Sequence, residues 1–162
     1  EARVSAGSAE AFLELDSALP PEFIAITDPP RTGLTPVARR LLVDRRPRRI
    51  VMLGCDPATW SRDAADFILE AVRGKTIDDY HRDRILRLAI ERSFEIIGEA
   101  MKRLAQHDPE TVARIGDHRQ IIAFRNVLAH GYDLVDHQLV WSTIEHQVPD
   151  LLRDIEKLLG RP

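Results

Sequence analysis

The chain has 162 residues, of which 44% are hydrophobic and 30% are charged, so it can fold around a packed core. Its formal net charge of -3 argues against a protein that binds nucleic acids non-specifically through a basic surface. A local basic site is still compatible with this charge. No apolar run approaches the roughly 20 residues of a membrane span, and no signal-peptide pattern opens the chain. Cys55 is the only cysteine, which excludes an internal disulfide. These features together predict a cytoplasmic protein that is not bound to a membrane.

Residues 1–57 have the pattern of a partial α/β fold. Residues 23–27 and 49–53 are short apolar runs rich in β-branched side chains, which predict two buried parallel strands. Between them, residues 35–43 have helical spacing, with Pro36 in the first turn.

Residues 58–162 have the pattern of an antiparallel helical bundle with four to five helices, so the fold class is mainly α. The apolar spacing predicts helices over residues 60–72, 83–106, 108–115, 118–130 and 136–146, and a last helix that Pro149 opens or kinks. In the first of these, Ser61 is a candidate cap. Phe94, Ile97 and Leu104 belong to the apolar stripe of the longest helix, where Gly98 allows close helix contact.

The candidate catalytic residues cluster at the end of the helix predicted over residues 118–130. Arg125, Asn126, His130 and Tyr132 fall within eight residues, and Asn126 and His130 share a helix face because they are four residues apart. Arginine can hold a phosphate through its planar guanidinium, and histidine can move a proton near neutral pH. The alternative to a catalytic site is a purely structural role, in which the arginine forms a surface ion pair and the histidine only caps the helix. Short motifs often occur by chance.

The flanking sequence resembles the HepT branch of the HEPN superfamily over residues 60–159. The resemblance is carried by residues 90–100, by Arg125-x4-His130-x-Tyr132 with its preceding helix, and by residues 135–136, 140–141 and 149–152. It implies a dimeric helical bundle in which two motifs meet across a shared cleft. It also implies metal-independent cleavage of RNA, such as transfer RNA or mRNA, with Arg125 and His130 catalytic and Asn126 supporting them.

The same resemblance implies a toxin paired with an MNT-type nucleotidyltransferase antitoxin, which adds AMP to the tyrosine that matches Tyr132. An anionic group beside the phosphate site would block RNA by charge and volume. No cofactor and no metal are expected. Glu95 and Glu99 are four residues apart, but no histidine or cysteine joins them in a metal-ligand pattern.

Residues 1–60 resemble the catalytic-domain middle of RNA 5-methyluridine methyltransferases of the TrmA/RumA type. The segments from Asp28 to Leu34 and from Arg49 to Thr59 carry this resemblance, which implies that Cys55 matches a nucleophilic cysteine and that Asp28 lies beside the substrate and donor sites. Neither the glycine-rich donor loop nor the downstream glutamate is present in the chain. We therefore expect an inactive remnant, which is less stable than the bundle or buries its sheet edge in a partner.

Two rivals to a ribonuclease toxin follow from these patterns. One is a non-catalytic module that binds RNA or nucleotide through the same motif. The other is a fragment of an RNA 5-methyluridine methyltransferase that works with another subunit.

Overall fold

The computed structural model describes residues 8–14, 22–54, 56–130 and 135–160, without the side chains of Phe12, Ala129 and His130. The chain divides into two compact units, residues 1–55 and residues 56–162.

The described residues of the first unit form a small parallel sheet and two helices. In chain order its elements are α1 (Ala9–Glu14), β1 (Ile24–Thr27), α2 (Pro36–Arg45) and β2 (Arg49–Met52). The strands pair in parallel, with Ile24 opposite Arg49 and Thr27 opposite Met52, as the sequence predicts. Thr35 caps α2 by accepting a hydrogen bond from the amide of Ala38, and its hydroxyl donates to Glu10 of α1.

The prediction that both strands are buried is wrong. Ile24 and Ile26 are exposed to 55% and 70%, and Leu53 just after β2 is also exposed. Burial of a parallel strand needs helices over both faces of the sheet. In the described part of this unit, α1 and α2 pack on each other, and one face of the two strands stays open to solvent.

In its described residues, the second unit is a bundle of four long helices and two short ones. In chain order they are α3 (Pro57–Val72), α4 (Ile77–Arg82), α5 (Arg84–His107), α6 (Pro109–Val112), α7 (His118–His130) and α8 (His137–Leu158). The central helix α5 packs against α3 and α7, and α3 packs against α8. Short connections make successive long helices antiparallel. The mainly α fold class is therefore confirmed.

Apolar stripes of the long helices meet in one core. The innermost side chains include Ile68 of α3, Ile90, Ile97 and Met101 of α5, and Val140 and Ile155 of α8. Burying a side chain of this size stabilises the fold by about 1.5–3 kcal/mol relative to leaving it in water. Phe94 and Leu104 lie in the same core, as predicted, and Trp141 is buried in it as well.

Helix starts in the bundle are set by polar caps. The side chains of Asp56, Asp83, Asp108 and Asp136 each accept a hydrogen bond from a backbone amide of the first turn of α3, α5, α6 and α8. Helix α3 thus begins at Pro57, and the predicted cap Ser61 lies inside it, donating to the carbonyl of Pro57. The predicted start at residue 60 is late because Pro57, whose fixed backbone angle suits the first turn of a helix, already belongs to α3.

Two further differences from the sequence-based prediction concern α4 and α8. The six-residue α4 was not predicted, because it is too short to show a repeat; Thr76 starts it with a capping box to Asp79. The last two predicted helices are one continuous helix, with Pro149 in its interior. Packing of Val148 and Leu151 in the core holds the helix together across the missing amide of Pro149.

A buried tyrosine fastens α4 to the start of α8. The hydroxyl of Tyr80 lies 3.2 Å from Nδ1 of His137, and its ring centroid lies 5.7 Å from that of Trp141. Burial, with the nearby charge of Glu91, raises the pKa of Tyr80 well above its ordinary value. His137 is therefore part of the packing at this end of the bundle.

None of the helices in the described residues is long and apolar enough to cross a membrane.

Candidate active site

The candidate catalytic residues lie on the last turns of α7. This helix runs without interruption from His118 to His130, so Asn126 and His130 lie on one face, as their spacing predicts. The side chain of His130 and the whole of Tyr132 lie outside the described residues. The geometry of the site therefore rests on Arg125, Asn126 and their neighbours.

The guanidinium of Arg125 is held by two oxygen atoms. Its Nη1 donates to Oδ1 of Asn126 at 3.0 Å, and its Nη2 lies 3.4 Å from Oε2 of Glu99 on α5. The side chain of Arg125 is 26% exposed, so the group lies at the surface on a partly buried stem. A guanidinium has five N–H donors, and these two contacts leave donors available for an incoming anion.

Close packing of α5 and α7 places the stem of Arg125. Gly98 on α5 faces this stem: a Cβ on residue 98 would lie 2.2 Å from Cβ and 2.7 Å from Cγ of Arg125. Real Cβ atoms essentially never come so close, so any larger residue would push the two helices apart. The close helix contact predicted for Gly98 is confirmed, and it occurs at the candidate catalytic arginine.

Glu99 is the site residue that the sequence did not assign. Its Oε1 accepts from Nε of Arg103 at 3.3 Å, while its Oε2 faces Arg125. Glu99 and Arg125 are 26 residues apart on different helices, so spacing along one helix cannot reveal the contact. Glu95, one turn earlier, pairs instead with Arg92 at 2.6 Å. Each of these carboxylates thus faces arginine.

The remaining histidines are not gathered around the motif in the described part of the bundle. Nδ1 of His118 lies 3.0 Å from the carbonyl of Ile115, and Nδ1 of His146 lies 2.9 Å from the carbonyl of Ser142. These contacts are local, within three or four residues. Groups of three or more potential metal ligands do not occur among the described residues.

The two methyltransferase-like residues belong to the first unit. Asp28 is exposed and follows β1 directly, at the edge where the parallel strand β2 also ends. Cys55 lies outside the described residues. The structure thus places Asp28 at the carboxyl edge of the sheet and gives no geometry for the cysteine.

Comparison with known proteins finds two kinds of relative. A 53-residue segment is 40% identical to an "Uncharacterized RNA methyltransferase" of Corynebacterium glutamicum, and this match covers 33% of the chain but only 13% of that protein. No solved structure matches the chain significantly.

The second kind of relative carries ribonuclease names. Over 96 residues the chain is 33% identical to "Putative RNase TTE0752" of Caldanaerobacter subterraneus subsp. tengcongensis, covering 59% of the chain and 85% of that protein. Over 99 residues it is 31% identical to "Probable ribonuclease HepT" of Thermococcus cleftensis, covering 59% and 86%. Residues 62–158 match the family model described as "Ribonuclease HepT-like". The chain therefore belongs to the HepT-like ribonuclease family.

Proposed function

We propose that this ribonuclease is the toxin of a toxin–antitoxin pair and cleaves RNA without a metal, using Arg125 and His130. The observation that carries the proposal is the position of Arg125: its guanidinium lies at the bundle surface, held by Glu99 and Asn126, on the helix that ends at His130. Such a fixed, partly buried cation suits a phosphate group.

In the proposed mechanism the nucleophile is the substrate's own 2′-hydroxyl. His130 takes the proton of this hydroxyl, and the 2′-oxygen attacks the adjacent phosphorus atom. The bond from phosphorus to the 5′-oxygen breaks, and that oxygen takes up a proton from water. His130 later returns the proton that it accepted to the solvent. Negative charge builds on the phosphoryl oxygens, where Arg125 stabilises it. Asn126 supports this step by accepting a hydrogen bond from Arg125. The product carries a 2′,3′-cyclic phosphate or its hydrolysed form.

A homodimer is part of the proposal, with the two motifs at a shared cleft. The bundle exposes Ile85 (75%) and Leu88 (49%) on α5 and Val127 (50%) on α7. Ile85 and Leu88 share a helix face with Glu99, which lies further along α5. This apolar stripe thus extends along α5 towards Glu99, the residue that contacts Arg125. A second copy that covered the stripe would bring its own motif near the first one.

Regulation is proposed to act at Tyr132, through AMP added by an MNT-type nucleotidyltransferase antitoxin. Tyr132 follows His130 by two residues, so an added phosphate would lie near Arg125 and compete with RNA for it. We place this system in the cytoplasm, where its RNA substrates, transfer RNA or mRNA, are found.

The deciding experiment is end-group analysis of total RNA incubated with purified wild-type, Arg125→Ala and His130→Ala chains in the presence of a chelator. We expect cleavage by the wild type only, with 2′,3′-cyclic or 3′-phosphate ends. Equal cleavage by both variants would overturn the assignment of the motif. Intact mass, measured on the same samples, reports any AMP that already silences the protein.

A further inference from the structure

A second basic site lies at the junction of α4 and α5. It is a shallow cleft of about 420 Å³ in which charged side chains dominate. The residues that line it are Lys75, Asp79, Arg82, Asp83, Arg84 and Ile85. Three of these are cations, and nothing in the ribonuclease mechanism uses them.

The two acidic residues of the cleft are engaged in helix caps. A carboxylate oxygen of Asp79 accepts from the amide and the hydroxyl of Thr76, at 2.9 and 2.8 Å. A carboxylate oxygen of Asp83 accepts from the amide of Leu86 at 3.0 Å. The hydrogen bonds from the amide and the hydroxyl of Thr76 lower the pKa of Asp79, and its negative charge also attracts Arg82 and Lys75. The three cations still outnumber the two carboxylates of the cleft.

The three cations lack close ionic partners. Within residues 56–130 and 135–160, Lys75, Arg82 and Arg84 form no ion pair, whereas Arg73 and Arg153 each pair with a carboxylate on a neighbouring turn. A cleft with three cations and two capped carboxylates favours an anion that brings its own oxygen acceptors.

The cleft lies at the same end of the bundle as the motif. Gly98 adjoins Arg125, and α5 and α7 are antiparallel, so the start of α5 and the end of α7 point the same way. Arg84 lies about 21 Å along α5 from Gly98, while His130 lies about 8 Å along α7 from Arg125, at about 1.5 Å per residue. Along the bundle axis, the cleft therefore lies about 13 Å beyond His130.

We propose that Lys75, Arg82 and Arg84 form a second phosphate site, which binds the RNA backbone a few nucleotides from the bond that is cut. The proposal rests on the ribonuclease function and adds to it a length requirement for the substrate. Phosphodiester groups of RNA and phosphates of free nucleotides share the chemistry of this site. The position of the cleft at the motif end favours RNA.

The test is a triple variant, Lys75→Ala/Arg82→Ala/Arg84→Ala, in the full chain. Its matched control is Lys102→Ala/Arg153→Ala/Lys157→Ala, which removes three exposed cations towards the far end of the bundle. RNA binding is measured by fluorescence anisotropy over a salt series, with both sets of changes in a His130→Ala background. Cleavage is measured with His130 intact.

We expect the cleft variant to raise KM roughly tenfold, with little change in kcat. Its slope of log Kd against log salt should fall by about 2, because each lost phosphate contact on a single strand contributes about 0.7. Arg82→Lys/Arg84→Lys should keep most of the affinity, since a point charge suffices for a phosphate.

The outcomes separate this proposal from the ribonuclease assignment. If the wild type and His130→Ala cleave RNA equally, the catalytic assignment fails, while the anisotropy data still report on the cleft. If both triple variants show wild-type KM and salt slope, the cleft is not an RNA site. If RNA binding is unchanged but ATP binding is lost only in the cleft variant, the site binds free nucleotide and the RNA proposal is overturned.

Discussion

Gly98 on α5 and Arg125 on α7 are in such close contact that only a residue without a side chain fits at position 98, where a Cβ would lie 2.2 Å from the Cβ of Arg125. Gly98→Ala should therefore move α7 away from α5 at the motif. Overpacking costs about 1–3 kcal/mol, and the better helix propensity of alanine offsets about 1 kcal/mol of it. We expect a lower melting temperature and roughly tenfold weaker RNA cleavage, because small misplacements of catalytic groups are costly.

The control for this change is Ser93→Ala, which alters α5 without adding an atom. An alanine at position 98 that left both stability and cleavage at wild-type levels would show that the helices have room to spare.

Glu99 should position Arg125 rather than act on RNA itself. Glu99→Ala removes the carboxylate 3.4 Å from the guanidinium, and we expect kcat to fall roughly tenfold with a smaller change in KM. Glu99→Gln keeps an oxygen acceptor and should recover part of the loss. Steady-state kinetics on one RNA would measure both variants.

Glu95→Ala is the matched control, since Glu95 pairs with Arg92 on the same helix. Tighter RNA binding and faster cleavage by Glu99→Gln would mean instead that Glu99 competes with the substrate for Arg125.

Tyr80→Phe should show how much the Tyr80 hydroxyl contributes to the free energy of unfolding, and how this contribution depends on pH. Loss of the contact with Nδ1 of His137 should cost about 1 kcal/mol near neutral pH. Because burial raises the pKa of Tyr80, the unfolded chain loses this proton first as pH rises. The contribution of the Tyr80 hydroxyl to the free energy of unfolding is therefore constant below about pH 10 and decreases above it.

Urea unfolding of the wild type and Tyr80→Phe at about pH 8 and above about pH 10 would check this decrease in stability at high pH. The stability gap between the two proteins should narrow at the higher pH. A gap that widened would mean that the phenol is more readily ionised in the folded protein.

Asp63 and Arg62 form an ion pair that is 0% and 1% exposed, at 2.5 Å. Asp63→Ala leaves the arginine buried without this partner, and we expect a loss of about 3–5 kcal/mol in the free energy of unfolding. Arg153→Ala, which breaks an exposed pair with Asp150, should cost less than about 1 kcal/mol. Denaturant titration of both variants makes the comparison, and similar small losses would show that water reaches Asp63.

Leu88→Asp tests the apolar stripe on α5 as the dimer surface. A buried, unpaired carboxylate at this position should dissociate the proposed dimer. Leu139→Asp is its control, because Leu139 is equally exposed but lies on α8. Sedimentation velocity would report both. Identical behaviour of the two variants would exclude the α5 stripe from the interface.

Helix positions in the bundle could be predicted because apolar periodicity and caps are local signals. Helix α7 was predicted over the residues that it occupies, and α5 to within one residue at either end. The exposure of Ile24 and Ile26 could not be predicted, since a short apolar run looks the same whether or not helices cover it.

The candidate site was predictable only in part, for the same reason. Arg125, Asn126 and His130 are neighbours on one helix, so their spacing predicted a shared site. The pairing of Glu99 with Arg125 depends on how two helices pack, which residue spacing within either helix does not encode. The roles of all the candidate site residues stay predictions: Arg125, Asn126, His130, Tyr132, Cys55 and Asp28.

Pro149 has a consequence for how the bundle opens. In a continuous helix, the carbonyl of Glu145 would accept from the amide of residue 149, and proline has none. Helix α8 is thus continuous from His137 to Leu158 but lacks one backbone hydrogen bond in its interior. Native-state amide exchange should show the stretch after Pro149 opening separately from the stretch around Trp141, so the far end of α8 can fray while the end beside the motif stays closed.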